Sequence, residues 1–419
     1  MLGSGGREHA LAWKLAQSPL CDKLWAAPGN PGMAQHADCI ALDAGDHEAV
    51  VEFVRKNDIG LVVIGPEAPL VDGLADSLRA AEVDTFGPSK QAAQLEGSKG
   101  FTKELCRRAN IPTARYERCT SLEAAWGALK KFDPPFVLKA DGLAAGKGVV
   151  IAETREEAQH ALDEMFDGKF GSAGSEVVIE QFLMGEEASF FALTDGTAIV
   201  PIGTAQDHKR VGAGDTGPNT GGMGAYSPAP VVTDAVHQRV MDEVIWPTVQ
   251  GMAAEGNRYT GFLYAGLMID TAGNPKVIEF NCRFGDPETQ PIMLRLQSSL
   301  VELIEAAESG TLDQIEAHWD PRPSLGVVIA AGGYPGAYAK GLPISGLQQA
   351  QTSEGKVFHA GTDLANGDVV TSGGRVLCAT ALGANIQAAQ EAAYQLAEQV
   401  SWDGSFYRRD IGYRAIGRQ

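Results

Sequence analysis

Residues 1 to about 95 alternate short apolar runs with stretches in which apolar residues recur at helical spacing. Leu61-Val62-Val63-Ile64-Gly65 is the clearest strand, and the spacing predicts helices over 45–57 and 71–81. A second strand ends near Trp25-Ala26-Ala27 and runs into Pro28-Gly29-Asn30-Pro31-Gly32. Such alternation predicts a parallel sheet covered by helices on both faces. Further on, a helix is expected from Lys99, and others over 156–165, 292–309 and 385–400. An Ala/Gly-rich strand from Leu325, a strand over 373–381 and the last helix read as a small α+β unit. The whole is therefore an α/β and α+β multidomain chain.

The stretch Val277-Ile278-Glu279-Phe280-Asn281-Cys282-Arg283-Phe284-Gly285-Asp286-Pro287-Glu288 opens as a strand. Glu279 and Asn281 are two apart, so strand geometry points both to one face. A carboxylate and an amide oxygen side by side suit Mg²⁺, a hard cation that takes oxygen ligands and shares them with substrate phosphates. Alone, the pair reads equally well as two solvated residues on a half-buried strand. Upstream, β-branched runs flank a loop of Gly and Ala, Asp141-Gly142-Leu143-Ala144-Ala145-Gly146-Lys147-Gly148, with Lys139 just before it. Small residues allow the backbone close to an oxyanion, and N–H groups with two ammonium groups neutralise a polyphosphate. No Walker motif is present. Together the two segments form the lysine and metal ends of a nucleotide triphosphate site.

Composition narrows the setting. Of 419 residues, 44% are hydrophobic and 21% charged, as in water-soluble globular proteins, and this length predicts several structural units. No apolar run approaches the ~20 residues of a membrane span, so no membrane partner is expected. A net charge of −19 argues against nucleic-acid binding, which needs basic surface. The six cysteines lack C-x-x-C spacing, which argues against a zinc site and fits reduced thiols in a cytoplasmic protein.

Gly3-Ser4-Gly5-Gly6-Arg7-Glu8 begins like a dinucleotide fingerprint, but Glu8 stands where the third glycine belongs. A ribose-binding acid is also missing after the second strand, so NAD is disfavoured. The glycine turn opens a helix and reads either as a phosphate site with Arg7 as charge partner or as a bare structural turn.

Gly3 through Ala10, Gly65-Pro66-Glu67-Ala68-Pro69-Leu70, Lys139 through Gly148, Gly217 through Tyr226 and Glu279 through Glu288 resemble, in order and spacing, the glycinamide ribonucleotide synthetases. That family, the phosphoribosylamine–glycine ligases, lies within the ATP-grasp superfamily. The resemblance covers nearly the whole chain. It implies an ATP-grasp fold with a Rossmann-like parallel α/β domain at 1–98, an ATP-grasp region at 99–320 with a lid-like part at 120–190, and a small α+β domain at 321–419. It also implies joining of glycine to 5-phosphoribosylamine with conversion of ATP to ADP and phosphate, and a monomeric protein.

The resemblance implies roles residue by residue. Lys99, Lys139 and Lys147, with the backbone at Gly142, Gly146 and Gly148, would bind ATP phosphates. Glu180 and Leu183 would lie at the adenine and Glu187 at the ribose. Glu279 and Asn281 would hold Mg²⁺ or Mn²⁺. Leu267 stands where many relatives carry a further metal-binding Glu. Gly5, Gly6, Arg7, Glu67, Asp207, Lys209, Asn219, Gly222 and Met223 would contact the substrates. Arg283, Asp286 and Lys147 would be catalytic. Arg283, Asp286 and Glu288 read as anchors for glycine's carboxylate and ammonium, or as a salt-bridge network within a loop. An ATP-grasp carboxylase would need a bicarbonate site, and the Asp286/Glu288 segment suits an ammonium better. Two segments qualify as a lid over the intermediate, the lysine loop and 207–224; His208 is either a phosphate contact or an ordinary loop residue. Only Met1-Leu2 precedes the glycine turn, where family members carry a longer apolar strand. The central strand is therefore expected to be short and the adjoining phosphoribosylamine site weakened.

Overall fold

The computed structural model describes residues 1–143, 148–169, 174–350 and 352–418. The first part forms a parallel sheet. Leu2–Gly3 pairs with Trp25–Pro28, which pairs with Asp38–Cys39. On its other side Leu2 bridges Ile64, beside the parallel pair Val62–Val63 and Thr85–Phe86. Ala27 N donates to Met1 O at 3.0 Å and Gly65 N to Leu2 O at 3.2 Å. The short opening strand thus still joins the two halves of the sheet, because a parallel ladder needs only these alternate backbone groups.

Helices His47–Lys56, Lys99–Arg108, Arg155–Glu164 and Ile386–Ala397 lie where the periodicity predicts them. Asp46, Ser98, Thr154 and Asn385 cap them by accepting a backbone N–H three residues on. Two expected helices are each divided. Residues 71–81 split at Gly73, whose φ of +98° ends Glu67–Asp72 before Leu74–Ala80 begins. Residues 292–309 split into Thr289–Arg295 and Leu300–Ser309. Leu296 bridges Trp319, and the Ser299 hydroxyl caps the second helix from Glu302 N.

An eight-stranded sheet runs in the order Pro275–Asn281, Gly261–Ile269, Glu186–Thr194, Ile199–Asp207, Gly224–Ser227, Ser324–Ala330, Arg375–Leu382, Gly355–His359, with every pairing antiparallel. The C-terminal strands therefore continue the central sheet rather than forming a detached one. Side-chain alternation feeds two cores. Ala188, Phe190 and Ala192 enter one, and Phe191 and Leu193 the other. The C-terminal strands add a third core beneath Ile386–Ala397, around Leu325, Val327 and Leu396.

A separate antiparallel sheet of four strands, Tyr116–Cys119, Val177–Gln181, Phe136–Ala140 and Val149–Ala152, has its own core around Phe136, Leu138, Leu162 and Ile179. It meets the central sheet at the strand Pro275–Asn281, where Thr113 bridges Val277 and Lys139 Nζ donates to Ile278 O at 3.0 Å. The two sheets face each other across a cleft. No helix among the described residues is long and apolar enough to cross a membrane.

Candidate active site

The cleft holds a cavity of about 430 Å³. Lys99, Lys139, Gly142, Gly148 and Glu180 line it from the smaller sheet's side and the helix Lys99–Arg108. Glu279, Asn281, Arg283, Asp286, Glu288, Asp207 and Lys209 line it from the central sheet, and Arg7 and Glu67 from the parallel one. Gly146 and Lys147 lie outside the described residues.

Lys139 is fixed from two sides. Beyond its bond to Ile278 O, it lies 3.0 Å from Glu180 Oε1, while Lys103 Nζ lies 2.9 Å from Glu180 Oε2. Burial works to raise the Glu180 carboxyl, but Lys139 and Lys103 outweigh it and hold it below its usual range. Lys99 Nζ donates to Gly142 O at 2.9 Å, so the start of the lysine loop is drawn onto the helix it opens. Asp141 joins the same point, accepting from Ser98 Oγ at 3.1 Å and Gly100 N at 3.1 Å.

Glu279 and Asn281 sit on one face of Pro275–Asn281, as their spacing predicts. Leu267, opposite Val277, is fully buried in the apolar core. Among the described residues no cluster of three or more His, Cys, Asp or Glu is placed to hold a metal ion. One carboxylate and one amide, both oxygen donors, fit a hard cation that completes its shell with phosphate oxygens and water.

The loop after this strand carries a buried ion network. Arg283 lies 2.7 Å from Glu96 Oε1 and 3.1 Å from Glu67 Oε2. Burial opposes the Arg283 charge, yet Glu96 and Glu67 raise its pKa above the usual guanidinium value. Cys282 is packing: it is buried and its Sγ donates to Glu96 at 3.2 Å. Glu288 accepts from Tyr264 Oη at 3.2 Å and Ser189 Oγ at 3.3 Å. Burial and the nearby Asp207 push the Glu288 carboxyl up to about 7 against the pull of Lys209. Lys209 itself bridges Glu187 at 2.7 Å and Asp207 at 3.1 Å.

Several sequence expectations change here. The glycine turn is complemented by acid, not left open for phosphate: Gly5 N donates to Glu8 Oε2 at 2.7 Å and Arg7 N to Asp286 Oδ2 at 3.3 Å. Carboxylates satisfy the helix N-terminus, and Arg7's guanidinium lies on Glu8 and on Phe284 O. Gly5 instead borders a second cavity, and a side chain on Gly6 would meet Gln290. Met223 is fully buried in the C-terminal core, so its side chain packs rather than touching substrate. Asn219 is exposed and pairs with Arg210 on a small hairpin, and Thr220 and Gly221 line the cavity instead. Leu183 and Glu187 are not on the cavity wall.

His208 is a loop residue. Its Nε2 accepts from Gly412 N at 2.9 Å, and burial with Arg408 and Arg414 lowers its pKa to about 4. The surrounding segment is fastened to the C-terminal stretch, with Arg408 3.0 Å from Asp215 and Gly214 N 2.8 Å from Asp410. Such anchoring argues against 207–224 as a freely closing lid. Sequence reasoning did not single out Glu96, Lys103, Tyr264 or Arg375, all on the cavity wall. Lys103 lies one turn on from Lys99 in the same helix, a signal that was available.

Two antiparallel sheets facing across a cleft, with Lys139 on one and Glu279 and Asn281 on the other, are the arrangement of the ATP-grasp class. The fold of a biotin carboxylase from Campylobacter jejuni is similar, with a TM-score of 0.75 at 13% identity over 96% of this chain and 92% of that one. Residues 1–96, 97–289 and 324–414 match the N, ATP-grasp (A) and C domains of phosphoribosylglycinamide synthetase. The phosphoribosylamine–glycine ligases of Pseudomonas syringae pv. tomato and Pseudomonas aeruginosa are 64% and 63% identical, each covering 100% of this chain and 98% of the relative. The crystal structure of the Thermotoga maritima phosphoribosylamine–glycine ligase superposes with a TM-score of 0.84 at 36% identity, covering 98% of both chains. The chain belongs to the phosphoribosylglycinamide synthetase family.

Proposed function

We propose that this chain joins glycine to 5-phospho-D-ribosylamine, with ATP converted to ADP and phosphate, to make glycinamide ribonucleotide in the second step of purine synthesis. The observation that carries the reading is the meeting of Lys99 and Lys139 with Glu279 and Asn281 in one cavity whose far wall holds Arg283, Asp286 and Glu288.

A carboxylate is a poor acyl donor, so the reaction proceeds through glycyl phosphate. A carboxylate oxygen of glycine takes the γ-phosphoryl group and ADP leaves. The amine nitrogen of phosphoribosylamine then attacks the acyl carbon, the C–O bond to phosphate breaks, and the amine's proton leaves on the phosphate. Lys99, Lys139 and Lys147, with the backbone at Gly142, Gly146 and Gly148, position and neutralise the transferred group. Glu180 holds Lys139 in place, and Glu187, behind the cavity wall, steadies Lys209 on it. Arg283 takes the glycine carboxylate, while Glu288, Asp286 and Asp207 face its ammonium. Glu279 and Asn281 would hold a divalent cation, Mg²⁺ or Mn²⁺, which would supply neutralisation of the phosphate charge.

We assign 1–98, 99–320 and 321–419 as the domains, with 120–190 as a lid-like part, a reading supported by the separate core of the smaller sheet. The protein acts as a cytoplasmic monomer, which light scattering at the mass of one chain would support. The decisive experiment measures ADP release with ATP and Mg²⁺, supplying glycine and freshly generated phosphoribosylamine together or singly. Release that requires both supports the assignment; ADP release indifferent to glycine would overturn it.

A further inference from the structure

Arg375 opens the strand Arg375–Leu382 in the C-terminal region, far in sequence from the ATP-binding segments. Its Nη1 donates to Gly221 O at 2.6 Å, to Asp286 O at 2.6 Å and, more weakly, to Gly222 O at 3.4 Å. Its Nη2 lies 3.7 Å from Asp286 Oδ2. Tyr334 completes the clamp, its hydroxyl accepting from Gly221 N at 3.1 Å. The glycines are needed for this approach. A side chain on Gly221 would start 2.8 Å from Arg375 Cζ, and one on Gly222, where φ is +111°, would start 2.5 Å from Pro287 Cδ. One guanidinium therefore ties the segment before Gly224–Ser227 to the Asp286 loop.

Arg375 and Asp286 also form the wall between two cavities. The second, about 560 Å³, opens between Gly5, Pro28–Pro31, residues 360–363 and Ser372. Lys99, Lys139, Glu279, Asn281 and Lys209 line the first cavity but not this one. The triphosphate and metal ends are thus on one side of Arg375 and the second cavity on the other. Burial opposes the Arg375 charge, but Asp286 sustains it, and Arg375 with Arg7 in turn keeps Asp286 ionised.

We propose that Arg375 is a positioning residue for the acceptor half of the reaction: it holds Asp286 and the Gly221–Gly222 backbone where the ribose-phosphate amine must enter, and contributes nothing to nucleotide binding. This rests on the ligase reading above.

The test is equilibrium binding to the full chain of two stable probes, glycinamide ribonucleotide and a non-hydrolysable ATP analogue with Mg²⁺, for Arg375→Gln and Arg375→Lys. Loss of charge-assisted bonds from a partly buried arginine should weaken the ribonucleotide about tenfold or more, with the analogue within about twofold of wild type. In turnover, KM for phosphoribosylamine rises while KM for ATP does not. Unchanged ribonucleotide affinity, or equal loss of both probes, overturns the proposal. Where the arginine variants do not fold, Tyr334→Phe removes only the second clamp; it should weaken the ribonucleotide alone, and no change in either probe would overturn the proposal. Wild-type protein that binds the analogue but neither binds the ribonucleotide nor turns over would instead discredit the ligase reading.

Discussion

Arg283 Nη2 lies 2.7 Å from Glu96 Oε1, which joins the loop after the metal strand to the short helix Gln94–Gly97 in front of Lys99. The cation proposed to anchor glycine is therefore held by the segment just before Lys99, a lysine proposed to bind phosphate. Burial pushes the Glu96 carboxyl up despite Arg283, so this pair is held together at a desolvation cost. Glu96→Gln keeps the shape but removes the charge. It should lower kcat/KM for glycine about 10- to 100-fold, the loss of one charge-assisted hydrogen bond, with KM for ATP little altered. Steady-state kinetics with each substrate varied in turn would show an equal rise in both KM values if the pair only supports the fold.

Glu288 gives a pH signature. Its carboxyl sits at about 7 in the folded chain, above the value near 4.3 of an exposed glutamate. Such a group favours folding while protonated, so its contribution is whole below about pH 4 and is lost as pH rises through about 7. Glu288→Gln carries no such loss. Its stability relative to wild type should improve between about pH 4 and 7, by no more than about 4 kcal/mol, and the difference should stay constant above that. Catalysis runs the other way, since the ionised form is the one that anchors an ammonium. Wild-type kcat/KM for glycine should climb through about pH 7 and the variant should be weak and flat. Urea titrations at fixed pH values, beside a pH–rate profile, check both.

Glu180 is the shared partner of two lysines whose side chains are 3% and 6% exposed. Glu180→Gln leaves Lys103 and Lys139 buried without a carboxylate. Breaking a buried pair from one side costs about 3–5 kcal/mol, and the displaced Lys139 should raise KM for ATP. Denaturant unfolding together with nucleotide titration measures the two effects. Stability within about 0.5 kcal/mol of wild type would mean that water reaches these groups.

Glu279 and Asn281 should govern metal dependence. Glu279→Gln ought to shift the Mg²⁺ activation curve to higher concentration by about tenfold or more and lower kcat. Asn281→Asp adds a carboxylate and should tighten divalent binding while slowing release of the phosphate-bearing products. Metal titrations at saturating ATP would distinguish these effects, and activation curves that coincide with wild type would place the cation elsewhere.

Gly222 holds a left-handed φ of +111° against Pro287. Gly222→Ala must both adopt an unfavourable backbone and push Pro287 away, at about 1–2 kcal/mol for the conformation alone. The shift falls on the Asp286 loop, so kcat should drop more than global stability does. Comparing kcat with the thermal midpoint tests this, and a loss confined to the midpoint would contradict it.

Local chemistry made much of this protein legible. Strand period placed Glu279 and Asn281 on one face, and the helix expected from Lys99 begins there, because both depend on neighbours a few residues away. The division of 71–81 and of 292–309 was less legible, since Gly73 and Ser299 act within runs whose apolar spacing continues across them. The glycine turn misled for the opposite reason. Its sequence is that of an anion site, and anions do sit on it, but they are the protein's own carboxylates of Glu8 and Asp286.

The sequence by itself determined the alternation of elements, the lysine loop, the metal-face pair and the family pattern that orders them, all carried by residues close along the chain. Only the tertiary structure decided which charges meet. Arg283 found Glu96 across 187 residues, and Arg375 reached Gly221 across 154. Such pairings follow from how sheets and loops stack in space. A buried charge needs a partner wherever the fold brings one, and sequence spacing carries no record of that distance.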